Sequence, residues 1–154
     1  MSPYDRLQSL GITLPEPVAP VAAFVPFVRT GNLLFVSGHI ARKDGKPWRG
    51  QLGVDISTAE GREAARSAAT DLVATLQAAT GDLRRVTRIE KLLVLVNSNP
   101  SFTDQPRVAD GASTLLADVF GPAGAHARSA IGAAQLPLGS CVEIELIAEV
   151  VDAG

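Results

Sequence analysis

The run IEKLLVLVN, residues 89–97, is nearly continuous in apolar residues through its interior, the pattern of a strand covered on both faces at the centre of a sheet. Helical periodicity flanks it on both sides. Upstream, Ser57-Thr58-Ala59-Glu60 is a capping box, in which the serine accepts from first-turn amides while the glutamate closes back on it, and a helix is predicted to start there. Ala64, Ala68, Leu72, Leu76 and Ala79, with Ala65, Ala69 and Val73 beside them, keep the helical period up to a stop at Gly81. The alanine-rich stripe permits close approach to a sheet. Downstream, a second helix is predicted over Phe102–Phe120, capped by Ser101 or Thr103, turning Val108, Ala112, Leu115, Leu116 and Val119 inward and ended by Pro122 and Gly124.

The remaining segments supply the other strands. Residues 1–22 read as a short helix or turn at Pro3–Leu10 and a proline-punctuated arm, because Pro15, Pro17 and Pro20 oppose regular structure. Two apolar runs, FVPFVRT and NLLFVSG, flank Gly31-Asn32 and predict a hairpin. Residues 40–56 are polar and glycine-rich, a turn or short edge strand. From Ala125 to Val151 two more apolar runs are joined by the turn Leu136-Pro137-Leu138-Gly139-Ser140. The order hairpin, helix, strand, helix, two strands is satisfied most economically by an α+β fold, one mixed sheet with both helices packed on one face. The other face is also rich in Val, Ile and Leu, so self-association is expected to cover it.

A chain of 154 residues fits one domain, with residues 1–22 as an arm and 23–154 as the domain proper. Its formal charge of −2 offers no global attraction to nucleic acid or an anionic membrane. Arg84, Arg85, Arg88 and Lys91 form a local basic patch, read as a solvated loop. The single cysteine, Cys141, lies in an apolar run and reads as a buried, inert thiol. There is no apolar signal core and no run of about twenty apolar residues, so the cytoplasm is the expected location. His39 and His126 have no metal-binding spacing.

Arg128 and Glu143 lie on the last two apolar runs, where a charge is costly unless something binds it or another charge answers it. If the two strands pair as a hairpin, the guanidinium could hold a carboxylate while the glutamate moves a proton or orients a water. An ion pair across neighbouring strands, or a subunit-interface pair, explains the same residues structurally. Glu145 shares the sheet face of Glu143 and is an alternative working carboxylate.

The pattern R-S-x-x-x-x-x-x-L-P-x-x-x-x-V-E-I-E, from Arg128 to Glu145, resembles the signature of the RidA family of small imine/enamine deaminases, also called YjgF or L-PSP proteins. Gly31-Asn32-Leu33-Leu34-Phe35-Val36-Ser37-Gly38 is similar to that family's N-terminal hairpin, and the likeness covers about residues 23 to 151. It implies a chorismate-mutase-like fold and a homotrimer with three clefts between subunits. It also implies that Arg128 grips the substrate carboxylate and that Glu143 positions or activates the hydrolytic water. Phe24 falls where active members often have a tyrosine, Ala130 where they often have a cysteine, and Asp110 about where some have an asparagine. Gly38, Ile131 and Gly132 would line the pocket. The two apolar replacements point to a divergent subgroup.

The activity so implied is hydrolysis of 2-imino or enamine acids to 2-oxo acids and ammonia, with no metal or organic cofactor. Non-catalytic binding of a small carboxylate is the alternative. A ribonuclease or translation inhibitor finds little support, since nucleic acid has no basic stripe to follow. Several residues have structural readings beside functional ones: Trp48 as a local packing anchor or a cleft-rim residue, His39 as a hydrogen-bonded structural histidine or a ligand contact near the cleft, and Ser129 as facing away from Arg128. His126, two residues before Arg128, is expected to share its face.

Overall fold

The computed structural model describes residues 1–20 and 22–153. Helix α1 (Pro3–Ser9) is followed by strands β1 (Phe27–Thr30) and β2 (Leu33–Ile40), then by a two-residue hairpin of β3 (Arg42–Lys43) and β4 (Lys46–Pro47). Helix α2 (Thr58–Thr80), strand β5 (Val86–Asn97), helix α3 (Gln105–Phe120) and strands β6 (Ala127–Ala133) and β7 (Val142–Val150) complete the chain. The main sheet has the order β1-β2-β7-β5-β6, in which only the β5–β6 pair is parallel. Both long helices cover one face, as the apolar periodicity requires.

The local signals act as their chemistry dictates. Ser57 and Glu60 close a reciprocal capping box at the start of α2, and Gly81 ends it in the left-handed conformation. Gly31 takes φ +59° in the two-residue turn between Thr30 and Leu33. Strand β5 begins at Val86, three residues before the apolar run, because Val86 pairs with Val150 and Thr87 bonds to Glu149; the polar pair Thr87-Arg88 conceals this from the hydrophobic pattern. Helix α3 begins at Gln105, later than its predicted start, because Phe102 is held in a turn by the carbonyl of Asn99 and neither Ser101 nor Thr103 caps the helix. Pro106 has no N–H to lose and is suited to the first turn.

One expectation is overturned. Strands β6 and β7 do not pair as a hairpin, because β5 lies between them. At the crossing, the Asn97 amide donates to the Cys141 carbonyl, the Asn97 side chain donates to the Ser140 carbonyl, and the Ser98 amide donates to the Ala133 carbonyl. The end of β5 thus fills the gap that a hairpin would have closed. The basic patch is also divided: Arg84 pairs with Asp82 and Arg85 donates to the Val151 carbonyl, whereas Arg88 and Lys91 lie on β5.

The core lies between the helices and the sheet. Leu72, Leu76, Leu92, Leu115, Leu116 and Ile144 are almost wholly enclosed, and each contributes about 1.5–3 kcal/mol. Ala64, Ala65, Ala68 and Ala69 are completely buried, so backbone rather than side chain sets the spacing there. The helices approach closely at Gly111, where a Cβ would lie 2.0 Å from the Arg62 carbonyl oxygen. Helix α1 docks on this layer: Leu7 is buried in the core, and the Tyr4 hydroxyl donates to Gln77 and accepts from the Leu83 amide. Trp48 packs against the core with the Lys43 ammonium over its ring at 5.0 Å. Among the described residues no helix is long and apolar enough to cross a membrane.

Gly111→Ala is expected to destabilise the fold by about 1–3 kcal/mol, since the methyl group meets backbone that cannot rotate away. A urea transition with a lower midpoint and an unchanged slope would register this; an unchanged midpoint would show that the helices separate freely.

Candidate functional site

Alternation along the strands sorts the candidate residues onto two sides of the sheet. Arg128 is aligned with Leu92 and Leu146, both buried under the helices, so its side chain leaves the edge strand β6 toward α3. Glu143 is aligned with Leu95 and, beyond it, Ile131, on the face that no helix covers. The two groups therefore do not form an ion pair within the chain.

Arg128 is answered by α3 instead. Its Nη1 donates to Asp110 Oδ1 at 2.8 Å and to Ser113 Oγ at 3.0 Å, and its Nη2 donates to the Pro106 carbonyl at 3.3 Å. Pro106, Asp110 and Ser113 are spaced at i, i+4 and i+7, one helical face turned to the strand. Arg62 approaches the other carboxylate oxygen of Asp110 at 4.0 Å. The Arg128 side chain is 22% exposed and that of Asp110 47%. A pair this open adds about 1 kcal/mol or less to stability, so its effect is to orient the guanidinium. Ala130, on the same side, packs against the core beside Val94.

Glu143 has a different surrounding. A Cβ on Gly38 would lie 3.3 Å from Glu143 Cδ, so glycine is what leaves room for the carboxyl group. The register between β2 and β7 shifts between Val36 and His39, which brings Gly38 into this position. The Ser37 amide and hydroxyl donate to the Pro26 and Val25 carbonyls, which anchors the segment bearing exposed Phe24 to the same end of β2. Ile131 is exposed two strands from Glu143, with Leu95 between them. The chain thus groups Arg128, Asp110 and Ala130 on one side and Glu143, Gly38 and Ile131 on the other.

Sequence reasoning missed Ser113. The signal lay in two spacings: His126 and Arg128 at the strand period, and Asp110 and Ser113 at i, i+3 on a helix. Only the placement of β6 beside α3 makes them meet. His126 does reach this side, bonding to Ser113 at 2.9 Å. His39 is buried between the Ser37 carbonyl and the Thr75 hydroxyl, and burial lowers its pKa. Cys141 is fully enclosed, and burial pushes its thiol up to about 11. Among the described residues no three His, Cys, Asp or Glu side chains converge as a metal site.

Residues 4–150 match the family described as "YjgF/chorismate_mutase-like, putative endoribonuclease". The chain belongs to the YjgF/RidA family. The YjgF/RidA match reaches back to residue 4 and so includes α1. Protein TCP17 of Trypanosoma cruzi is 49% identical over 146 residues, covering 94% of this chain and 91% of that protein. The crystal structure of Atu1372 from Agrobacterium tumefaciens, described as of unknown function, is 42% identical with a TM-score of 0.90, covering 97% of this chain and 92% of that one. A Shewanella oneidensis structure described as a "putative endoribonuclease" is 36% identical with a TM-score of 0.94, covering 97% of this chain and all of that one.

In this YjgF/RidA chain the Glu143 carboxyl is pushed above the usual glutamate range, first by partial burial and then by the charge of Glu145. The folded state therefore binds this proton more tightly than the unfolded state does. Stability from this group is present below the ordinary value of 4.5 and is lost as pH rises through the raised folded value. Glu143→Gln is expected to flatten the fall in stability above pH 4.5 and to be at least as stable as the parent at neutral pH. Urea midpoints at acid and neutral pH read this directly; an equal slope in both proteins would contradict it.

Proposed function

We propose that this protein hydrolyses reactive 2-imino acids, and the enamines in equilibrium with them, to 2-oxo acids and ammonia. The observation that carries this reading is the braced Arg128 guanidinium at the sheet edge, oriented by Asp110, Ser113 and Pro106 and still partly open to solvent. A planar fork of donors suits a carboxylate better than any other small anion except phosphate. Family membership supports the same substrate class.

The chemistry asks little of the chain. Water adds to the carbon of the protonated imine as Glu143 takes one of its protons, giving a neutral carbinolamine. Glu143 returns that proton to nitrogen; the C–N bond then breaks with its electron pair leaving on ammonia, while the hydroxyl proton passes to the Glu143 carboxylate and the O–H pair forms the 2-oxo group. A glutamate with a raised pKa is a better base near neutrality than an ordinary one. Arg128 holds the acid end so that the imine carbon meets the water in a fixed orientation.

Because Arg128 and Glu143 leave opposite sides of one sheet, the proposed cleft draws them from two copies. The open face supports such an assembly. Val28, Leu33, Phe35 and Ile131 are exposed there, apolar groups that a second copy would cover. A homotrimer with three shared clefts is the assembly that the family likeness favours.

Two departures favour a second reading, binding of a small carboxylate without turnover. Phe24 and Ala130 bring no polar group to the site, and Asp110 already occupies part of the guanidinium. This predicts saturable binding of a 2-oxo acid such as pyruvate with no ammonia release. Nucleic-acid cleavage is disfavoured: Glu143, Glu145 and Glu149 alternate along the uncovered side of β7, and the buried ring of His39 is already hydrogen-bonded on both nitrogens.

Ammonia release from freshly generated 2-imino acids tests the activity. Arg128→Ala should raise KM roughly ten- to a hundredfold, the loss of a charged hydrogen-bonded contact. Glu143→Gln should lower kcat by about a hundredfold or more. An unchanged kcat/KM in Arg128→Ala would sink the reading. At substrate well below the wild-type KM, co-assembly of equal amounts of the two impaired variants should restore about a quarter of wild-type activity if each cleft takes one residue from each of two copies. No restoration would rule out a cleft shared in this way.

A further inference from the structure

We infer that Ser113 and His126 are positioning residues that lock the Arg128 guanidinium through a directional chain of hydrogen bonds, leaving one side of it free for a ligand carboxylate. The geometry fixes each direction. His126 Nδ1 is 2.7 Å from the Gly124 carbonyl oxygen, which can only accept, so Nδ1 carries the ring hydrogen. In the neutral ring Nε2 is then a bare acceptor. It lies 2.9 Å from the Ser113 hydroxyl, which must donate to it. The serine oxygen thus turns its lone pairs to Arg128 Nη1 at 3.0 Å, a group that can only donate. Gly124 carbonyl, His126, Ser113 and Arg128 form one relay with a single polarity.

The relay decides which donors remain. Arg128 has five N–H bonds. Nη1 spends two, on Asp110 and Ser113, and Nη2 spends one on the Pro106 carbonyl. The Nε–H and the second hydrogen of Nη2 have no partner among the described residues. They are on adjacent nitrogens, so one carboxylate can bridge both. With Nη1 held from two directions, the plane cannot turn about the Cζ–Nε bond without breaking both contacts. A guanidinium held this way meets its ligand already ordered.

The last step, that the free side receives the substrate carboxylate, rests on the proposed function; the relay itself does not. The experiment separates them by using the full-length protein and two kinds of readout. Long-range ¹⁵N–¹H spectra should show His126 as the Nδ1–H tautomer. The Nη signals of Arg128 should be resolved by slow rotation in the wild type and averaged in Ser113→Ala. An Nε2–H tautomer, or rotation unchanged by Ser113→Ala, overturns the relay whatever the protein catalyses.

For the functional step, Ser113→Ala and His126→Phe should each raise KM for a 2-imino acid, or Kd for pyruvate, about tenfold while kcat stays within about twofold. Ser113→Thr, which keeps the hydroxyl, should restore the wild-type value. If Arg128→Ala weakens binding but Ser113→Ala does not, the positioning role is wrong and the proposed function stands. If Arg128→Ala itself changes neither binding nor turnover, the proposed function fails, and with it the claim that the free donors meet a ligand.

Discussion

The place of β5 between β7 and β6 governs what the molecule presents to a ligand. Of the strands in the main sheet it alone is apolar almost throughout its second half, and an interior position, paired on both edges, is where such a strand loses least. Its insertion sends β6, a strand of mostly small residues, to the edge. An arginine on an edge strand can lean against a helix and keep solvent on one side. The same arginine on a central strand would need full compensation for its desolvation. Glu143, two strands away and on the other face, is half-buried only because Gly38 yields it space.

The bracing of Arg128 and the packing of the core are one structure. Gly111 follows Asp110 and lies two residues before Ser113, so a close backbone contact between α2 and α3 sits among the residues that hold the guanidinium. Backbone contact there lets α3 shift little relative to α2. Core precision is thereby passed to the edge of the sheet through the helix rather than through the strand that bears the arginine.

Much of the fold was legible in the sequence because its signals are local. The Ser57–Glu60 capping box, the Gly81 stop, the alanine stripe and the Gly31 turn each depend on neighbours a few residues apart. The layer arrangement followed from counting amphipathic faces. What could not be read was strand order. Leu136–Ser140 looks like a hairpin turn, and nothing local in it announces that β5 enters between the strands it joins. That one non-local fact put a strand between the two that bear Arg128 and Glu143. It also hid Ser113, whose spacing from Asp110 carries meaning only beside β6.

The chain's single thiol adds a consequence for handling the protein. Cys141 is sealed at the point where β7 begins, its amide donating to the Trp48 carbonyl and its carbonyl accepting from Asn97. With its ionisation pushed up to about 11, it is nearly silent toward alkylating reagents while the fold is intact. Exposure requires the crossing of β5 and β7 to open, so labelling at Cys141 becomes a clock for that opening. The native sequence already carries a one-site reporter at the junction on which its strand order depends.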